Sequence, residues 1–146
     1  MKIEGTYRLV VARDVVWRAL MNPKILARAL PGCEKFETNP DGSYSAQMKV
    51  GVAAIKGTYQ ARVEILDVVP QEHFRMKVEG KGTGGFLRGE GTLALTEESG
   101  ATQIAYAGDA QVGGVVASVG QRLMLAAARQ IINQFFEAFR NQLPPG

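Results

Sequence analysis

Asp109-Ala110-Gln111-Val112-Gly113-Gly114 separates two hydrophobic periods, and that change decides the fold. Upstream, apolar residues recur at every second position. Downstream, over residues 117–143, they recur at steps of three and four, the spacing of an amphipathic helix. Val116, Val119, Leu123, Ala127, Ile131, Phe135 and Phe139 form the apolar stripe, with Gln121, Arg122, Arg129, Gln130, Asn133, Glu137 and Arg140 over much of the remainder. Such a helix reaches about 40 Å and is stopped by Pro144-Pro145-Gly146. Neither a one-sided sheet nor a lone amphipathic helix is stable in water, so the sheet must wrap the helix. The wrap encloses space, and function is expected there.

Upstream of that boundary the chain reads as strands with one helical excursion. Ile3, Gly5, Tyr7 and Leu9 alternate with Lys2, Glu4, Thr6 and Arg8. From Ala12 the period lengthens: Val15, Val16, Trp17, Ala19 and Leu20 predict a short helix stopped at Asn22-Pro23. A second short helix over residues 24–30 runs into the turn Pro31-Gly32. Alternating stripes then follow at residues 33–38, 44–50, 59–65, 74–78, 87–95 and 104–112, with Asn39-Pro40-Asp41-Gly42 as a strong reversal. One-sided alternation predicts an antiparallel sheet with one face on the core, so the fold class is α+β. The chain of 146 residues is expected to form one domain over 1–146.

Composition narrows the function classes. Charged residues make up 21% and apolar ones 46%, which excludes a disordered chain. The net charge is only +3 and the cations are interspersed with acids, so nucleic acid is not an expected partner. A single cysteine, Cys33, rules out an internal disulfide and a multi-cysteine metal site. No apolar run approaches the ~20 residues that cross a bilayer, and Met1 leads straight into Lys2-Ile3-Glu4. A soluble cytoplasmic protein is expected.

Several motifs resolve to ordinary structure. Gly80-Lys81-Gly82-Thr83-Gly84-Gly85 has the spacing of a dinucleotide loop, but it precedes a strand-like stripe where that site needs a helix. It reads instead as a loop, with Gly89 and Gly91 permitting sheet bending or close approach. His73, the only histidine, follows a turn; Cys33 has no neighbouring base that would activate it. No ligand spacing suggests a metal, and no cofactor is implied. More informative is the inward-facing set. Met48, Tyr59, Met76 and Tyr106 stand among small residues, Ala61 included, that leave volume unfilled. Apolar walls with a few phenols suit an apolar ligand carrying one polar end. Leu26, Leu30, Phe86, Leu123 and Ala127 complete the expected ligand-binding set. Arg18, Lys24 and Arg28, beside Leu20, Ile25, Leu26 and Leu30, are candidates for membrane or partner contact.

Val16-Trp17-Arg18-Ala19-Leu20, Leu30-Pro31-Gly32-Cys33-Glu34, Gly80-Lys81-Gly82-Thr83-Gly84-Gly85-Phe86, the boundary stretch at 109–114, Gly120-Gln121-Arg122-Leu123 and Gln134-Phe135-Phe136 occur here in one order. In these pieces the chain resembles the CoxG family of carbon monoxide dehydrogenase subunits, within the START-like, or SRPBCC helix-grip, superfamily. The resemblance runs from Ile3 to about Leu143. It implies a seven-stranded antiparallel sheet gripping the long C-terminal helix, with two short helices after the first strand and a cavity between sheet and helix. It also implies an accessory role beside a molybdenum-containing carbon monoxide dehydrogenase or related hydroxylase, recruitment of that enzyme to the membrane, and binding of a quinone- or lipid-like molecule. Some members carry a C-terminal extension that serves membrane association. This sequence ends at Leu143-Pro144-Pro145-Gly146, so membrane contact is expected to be transient and peripheral.

Three functions follow in order of expectation. The first is a non-catalytic binding protein for an apolar ligand. The second is a protein–protein adaptor with a vestigial cavity. The third is an enzyme of the cyclase or aromatase kind found elsewhere in the superfamily. It is disfavoured because the inward stripes offer tyrosines but neither histidine nor carboxylate.

Overall fold

The computed structural model describes residues 1–144; the end of the expected Pro-Pro-Gly stop, at 145–146, lies outside the described residues. Strand β1 (Lys2–Leu9) is followed by helices α1 (Arg13–Leu20) and α2 (Pro23–Ala29). Six strands come next: β2 (Cys33–Thr38), β3 (Tyr44–Val50), β4 (Gly57–Val69), β5 (His73–Gly82), β6 (Gly85–Glu98) and β7 (Ala101–Gly113). Helix α3 (Gln121–Asn141) ends the fold, and short 3-10 turns lie at Ala53–Ile55 and Val115–Val119. All strand pairs are antiparallel, in the order β1-β7-β6-β5-β4-β3-β2.

Local chemistry explains the junctions. Pro23 opens α2 where a missing N–H costs nothing, and the Asn22 side chain accepts from Lys24 N–H at 3.0 Å. Gly32 has φ +66°, and its carbonyl accepts from Lys49 N–H at 2.8 Å. A Cβ at Gly32 would stand 1.9 Å from the Lys49 carbonyl oxygen, so the Pro31-Gly32 turn requires glycine.

Two glycine motifs meet at the far end of the sheet. Gly82 pairs with Gly85 across a tight reversal at Thr83-Gly84, so Gly80 and Gly82 belong to β5 and only the two residues between the strands form the loop. Val116 N–H donates to Gly84 O at 2.7 Å, and a Cβ on Gly85 would lie 2.1 Å from Gly113 O. The close approach of those backbones is what the glycines provide.

The terminal helix begins later than the periodicity predicts. Gly114 and Gly120 have φ of +85° and +93°, and the residues between them form a 3-10 turn. The α-helix therefore spans 21 residues, about 31 Å long. Its buried residues are Met124, Ala127, Phe136 and Phe139. Leu123, placed in the apolar stripe by its spacing, is 55% exposed. From Leu123 to Ala128 every residue is apolar, so periodicity alone does not choose the buried side there.

The packed core sits at one end. Phe139, Leu9, Ile104 and Val16 are at most 1% exposed, and they cluster with Trp17, Leu20, Phe74, Leu93, Leu95 and Phe136. Trp17 meets Phe74 edge-on at 5.9 Å, while Phe136 stacks on Tyr7 at 4.9 Å and leans on Tyr106 at 5.6 Å. Thr102, fully buried, donates its hydroxyl to Val11 O at 2.7 Å.

Candidate functional site

Register brings the alternating stripes into continuous rows on the inner face of the sheet. One row runs Ala46, Ala61, Gly80, Leu87, Val112; a second runs Val63, Val78, Gly89, Ala110; a third runs Ile65, Met76, Gly91, Gly108, Ile3. Beyond them Phe74, Leu93, Tyr106 and Gly5 begin the packed end. Met48 and Tyr59 are cross-strand partners at the opposite end.

Small residues therefore occupy the middle of the sheet, where α3 passes over. In backbone, α3 runs close to α2, β1 and the two 3-10 turns. The inner-face side chains Met48, Tyr59, Ala61, Val63, Met76 and Val78 remain only partly buried, although all but the phenol of Tyr59 are apolar. A Cβ built on Gly80 meets only Gln60 O, at 3.8 Å, and one on Gly89 comes no closer than 3.4 Å to any atom.

Two depressions flank α3. One, about 320 Å³, lies where Gln130, Ile131 and Gln134 face Gly32, Val50 and Val52. The other, about 470 Å³, lies where Met124 and Gln121 face Phe86, Val112 and Met1. Of the ten residues expected to bind ligand, only Phe86 lines either of them. Met48, Tyr59, Ala61, Met76 and Tyr106 do share the inner face, Leu26 and Leu30 are partly buried at α2, and Ala127 is buried in α3.

Two residues fall elsewhere. Phe86 lies on the outer face with its ring against Gly113, and it is 46% exposed. Its parity follows from Leu87 and Gly89 facing inward, because neighbours along a strand point to opposite sides. Leu123 points to solvent in the first turn of α3. Sequence reasoning passed over Gln130 and Gln134. Their i,i+4 spacing places both on one side of the helix, and that is the signal that could have found them.

The phenols are not equivalent. Tyr59 donates to Ile55 O at 2.7 Å, and burial raises its pKa. Tyr7 donates to Glu137 Oε1 at 2.7 Å; burial first, then the hydrogen bond to that carboxylate and its charge, raise its pKa. The Tyr106 hydroxyl lies over Gly5, where an added Cβ would stand 2.4 Å away, and it has no hydrogen-bond partner among the described residues. Burial also pushes the Cys33 thiol up, the opposite of activation. His73 is exposed at the start of β5. Among the described residues no three of His, Cys, Asp or Glu converge as metal ligands. Arg18, Lys24 and Arg28 are exposed on α1 and α2; Arg18 pairs with Asp14 at 3.3 Å, and Arg28 reaches Gln142.

A seven-stranded antiparallel sheet curled against a long C-terminal helix, with two short helices after the first strand, is the START-like fold. A START superfamily protein from Mycobacterium smegmatis shares it with a TM-score of 0.73 at 8% identity, over 97% of this chain and 96% of the other. The aromatase/cyclase ZhuI from Streptomyces sp. R1128 matches with a TM-score of 0.71 at 18% identity, over 97% and 92% of the two chains. A conserved protein from Geobacillus kaustophilus is nearer, with a TM-score of 0.94 at 35% identity, over 97% and 94%. No curated protein matches the sequence. The family model for CoxG, a carbon monoxide dehydrogenase subunit, matches residues 5–144, and the chain belongs to that family. Among the described residues no helix is long and apolar enough to cross a membrane.

Proposed function

We propose that this chain is a non-catalytic accessory protein that holds an apolar, quinone- or lipid-like molecule between the inner face of the sheet and α3. One observation carries the reading: Ala61, Val63, Met76 and Val78 in the rows under α3 are incompletely buried, while Phe74, Leu93, Leu95 and Ile104 at the other end of the same sheet are sealed. Leaving such a surface unfilled forfeits roughly 25 cal/mol per Å² of burial, and an apolar ligand recovers it. The free hydroxyl of Tyr106 supplies the polar end, since that of Tyr59 is already engaged by Ile55 O. The three rows under α3 carry no histidine or carboxylate, which supports binding over acid–base chemistry there.

Family membership supports service to a molybdenum-containing carbon monoxide dehydrogenase or a related hydroxylase. Exposed Arg18, Lys24 and Arg28 are the proposed contact with that enzyme. Native mass spectrometry of the purified protein, followed by solvent extraction, tests the carrier. A stoichiometric quinone or lipid is expected, with Tyr106→Phe weakening it by about 0.5–1.5 kcal/mol. A clean apo mass with no uptake of added quinones or lipids overturns it.

A further inference from the structure

The sheet has two edge strands, and they are built differently. β2 is six residues long, and its pairing with β3 slips between Cys33 and Lys35. A short strand and an irregular register are common ways of blunting an edge against further pairing. β1 has neither protection. Its eight residues pair with β7 without a break, from Lys2↔Asp109 to Leu9↔Thr102, and none is proline.

Hydrogen-bond parity fixes what the free side of β1 offers. The Met1 nitrogen donates to Ala110 O at 2.9 Å, and Ala110 N–H donates to Met1 O at 2.8 Å. That pair exchanges both bonds, so the same register puts Ile3, Gly5, Tyr7 and Leu9 in bonded pairs with β7. Lys2, Glu4, Thr6 and Arg8 therefore aim their main-chain N–H and C=O groups away from β7. Among the described residues no main-chain group of another element bonds them. α3 meets β1 from the inner face, where Tyr7 donates to Glu137. The side chains of Lys2, Glu4, Thr6 and Arg8 are all exposed, and among the described residues the three charged ones form no ion pair.

We infer that β1 is the pairing edge of a homodimer, with β1 of a second copy added antiparallel across a two-fold axis at Thr6. Parity admits only registers that set even-numbered residues against even-numbered ones. Centring on Gly5 would oppose Lys2 to Arg8, and centring on Glu4 would oppose that carboxylate to itself; like charges directly opposite are destabilising. Centring on Ile3 pairs only the stretch from Lys2 to Glu4, while centring on Tyr7 leaves Glu4 facing Val10. Centring on Thr6 pairs the strand from Ile3 to Leu9 and sets Glu4 of each copy against Arg8 of the other. The two threonine hydroxyls then face each other on the axis, another favourable cross-strand pair. An unrelated strand would supply main-chain bonds alone, whereas this one is complementary to itself in charge as well, as a two-fold interface requires. The inference does not depend on whether the sheet–helix space holds a ligand.

Sedimentation velocity of the full chain over a range of concentrations tests it, and a monomer–dimer equilibrium is expected. Glu4→Arg and Arg8→Glu each convert both ion pairs into like-charge pairs, so each should weaken association by about tenfold or more. Mixed in equal amounts, the two variants should recover the dimer as a heterodimer, because every arginine then faces a glutamate. Thr6→Pro removes an N–H that β7 does not use, so it should abolish association and leave the fold intact. The mixing result decides the matter whether or not the proline variant folds. A wild-type chain that stays monomeric at every concentration overturns the inference. So does a dimer indifferent to all three substitutions, or loss in both charge variants with no recovery on mixing.

Discussion

One sheet serves two ends of this molecule, and they differ in the size of the side chains on the inner face. Phe74, Leu93, Tyr106, Leu95 and Ile104 rise from β5, β6 and β7 at one end and meet Phe136 and Phe139 of α3. At the other end the same strands carry Gly80, Gly89 and Ala110, with Ala46 and Ala61 beside them, and α3 rests on the 3-10 turns instead. Strand pairing is continuous through both. Side-chain volume therefore decides where the helix lands, and hydrogen bonding decides only that there is a sheet for it to land on.

The contrast can be broken first at its rigid side. Phe139 is 0% exposed and stacks on Phe135 at 5.8 Å. Phe139→Ala should cost about 3–5 kcal/mol, the usual range for emptying a packed aromatic site. The midpoint of urea unfolding measures it. A loss below about 1.5 kcal/mol would mean that this end is no better packed than the other.

Much of that rigid side was legible in the sequence, because Tyr7, Leu9, Phe74, Leu93, Leu95 and Ile104 alternate without ambiguity and aromatic residues bury wherever they can. Inner and outer faces followed from the same alternation, and Phe86, expected to bind ligand, takes the outer parity that Leu87 and Gly89 impose while lining the depression beside Met124. The start of α3 was harder to read. Val116, Ala117 and Val119 fit a helical stripe, but positive φ at Gly114 and Gly120 confines them to a 3-10 turn. The helical reading ran through Gly120, because the positive φ it adopts is not encoded in the apolar period. Leu123 failed for a related reason: an all-apolar stretch does not encode which side meets protein. Gln130 and Gln134 became candidates only when α3 was laid against the Gly32 turn and the end of β3, a long-range pairing that no local period contains.

Ala61 sharpens the comparison from the open side. It pairs with Ala46 and Gly80 and is only partly buried. Adding bulk to a filled core costs about 1–3 kcal/mol. Ala61→Phe should cost less than about 1 kcal/mol in urea unfolding while eliminating uptake of the apolar ligand. A full overpacking penalty would show that no space was waiting there, whatever the ligand assay reports.

The smallest effect is the most discriminating, because its sign is at stake. Gly80 lies within β5 at the centre of the small-residue rows, and a Cβ there would meet nothing closer than Gln60 O at 3.8 Å. Its φ lies outside the positive range that disfavours other residues. Gly80→Ala should thus restrict the unfolded chain without straining the folded one, a gain of about 0.5 kcal/mol. Calorimetric melting of the apo protein is the measurement. The same methyl group narrows the space beneath α3, so added quinone or lipid should raise the melting temperature of the variant less than that of the parent. A destabilised apo variant would mean that the helix already presses on this row, and the two ends would then differ in side-chain size without differing in packing.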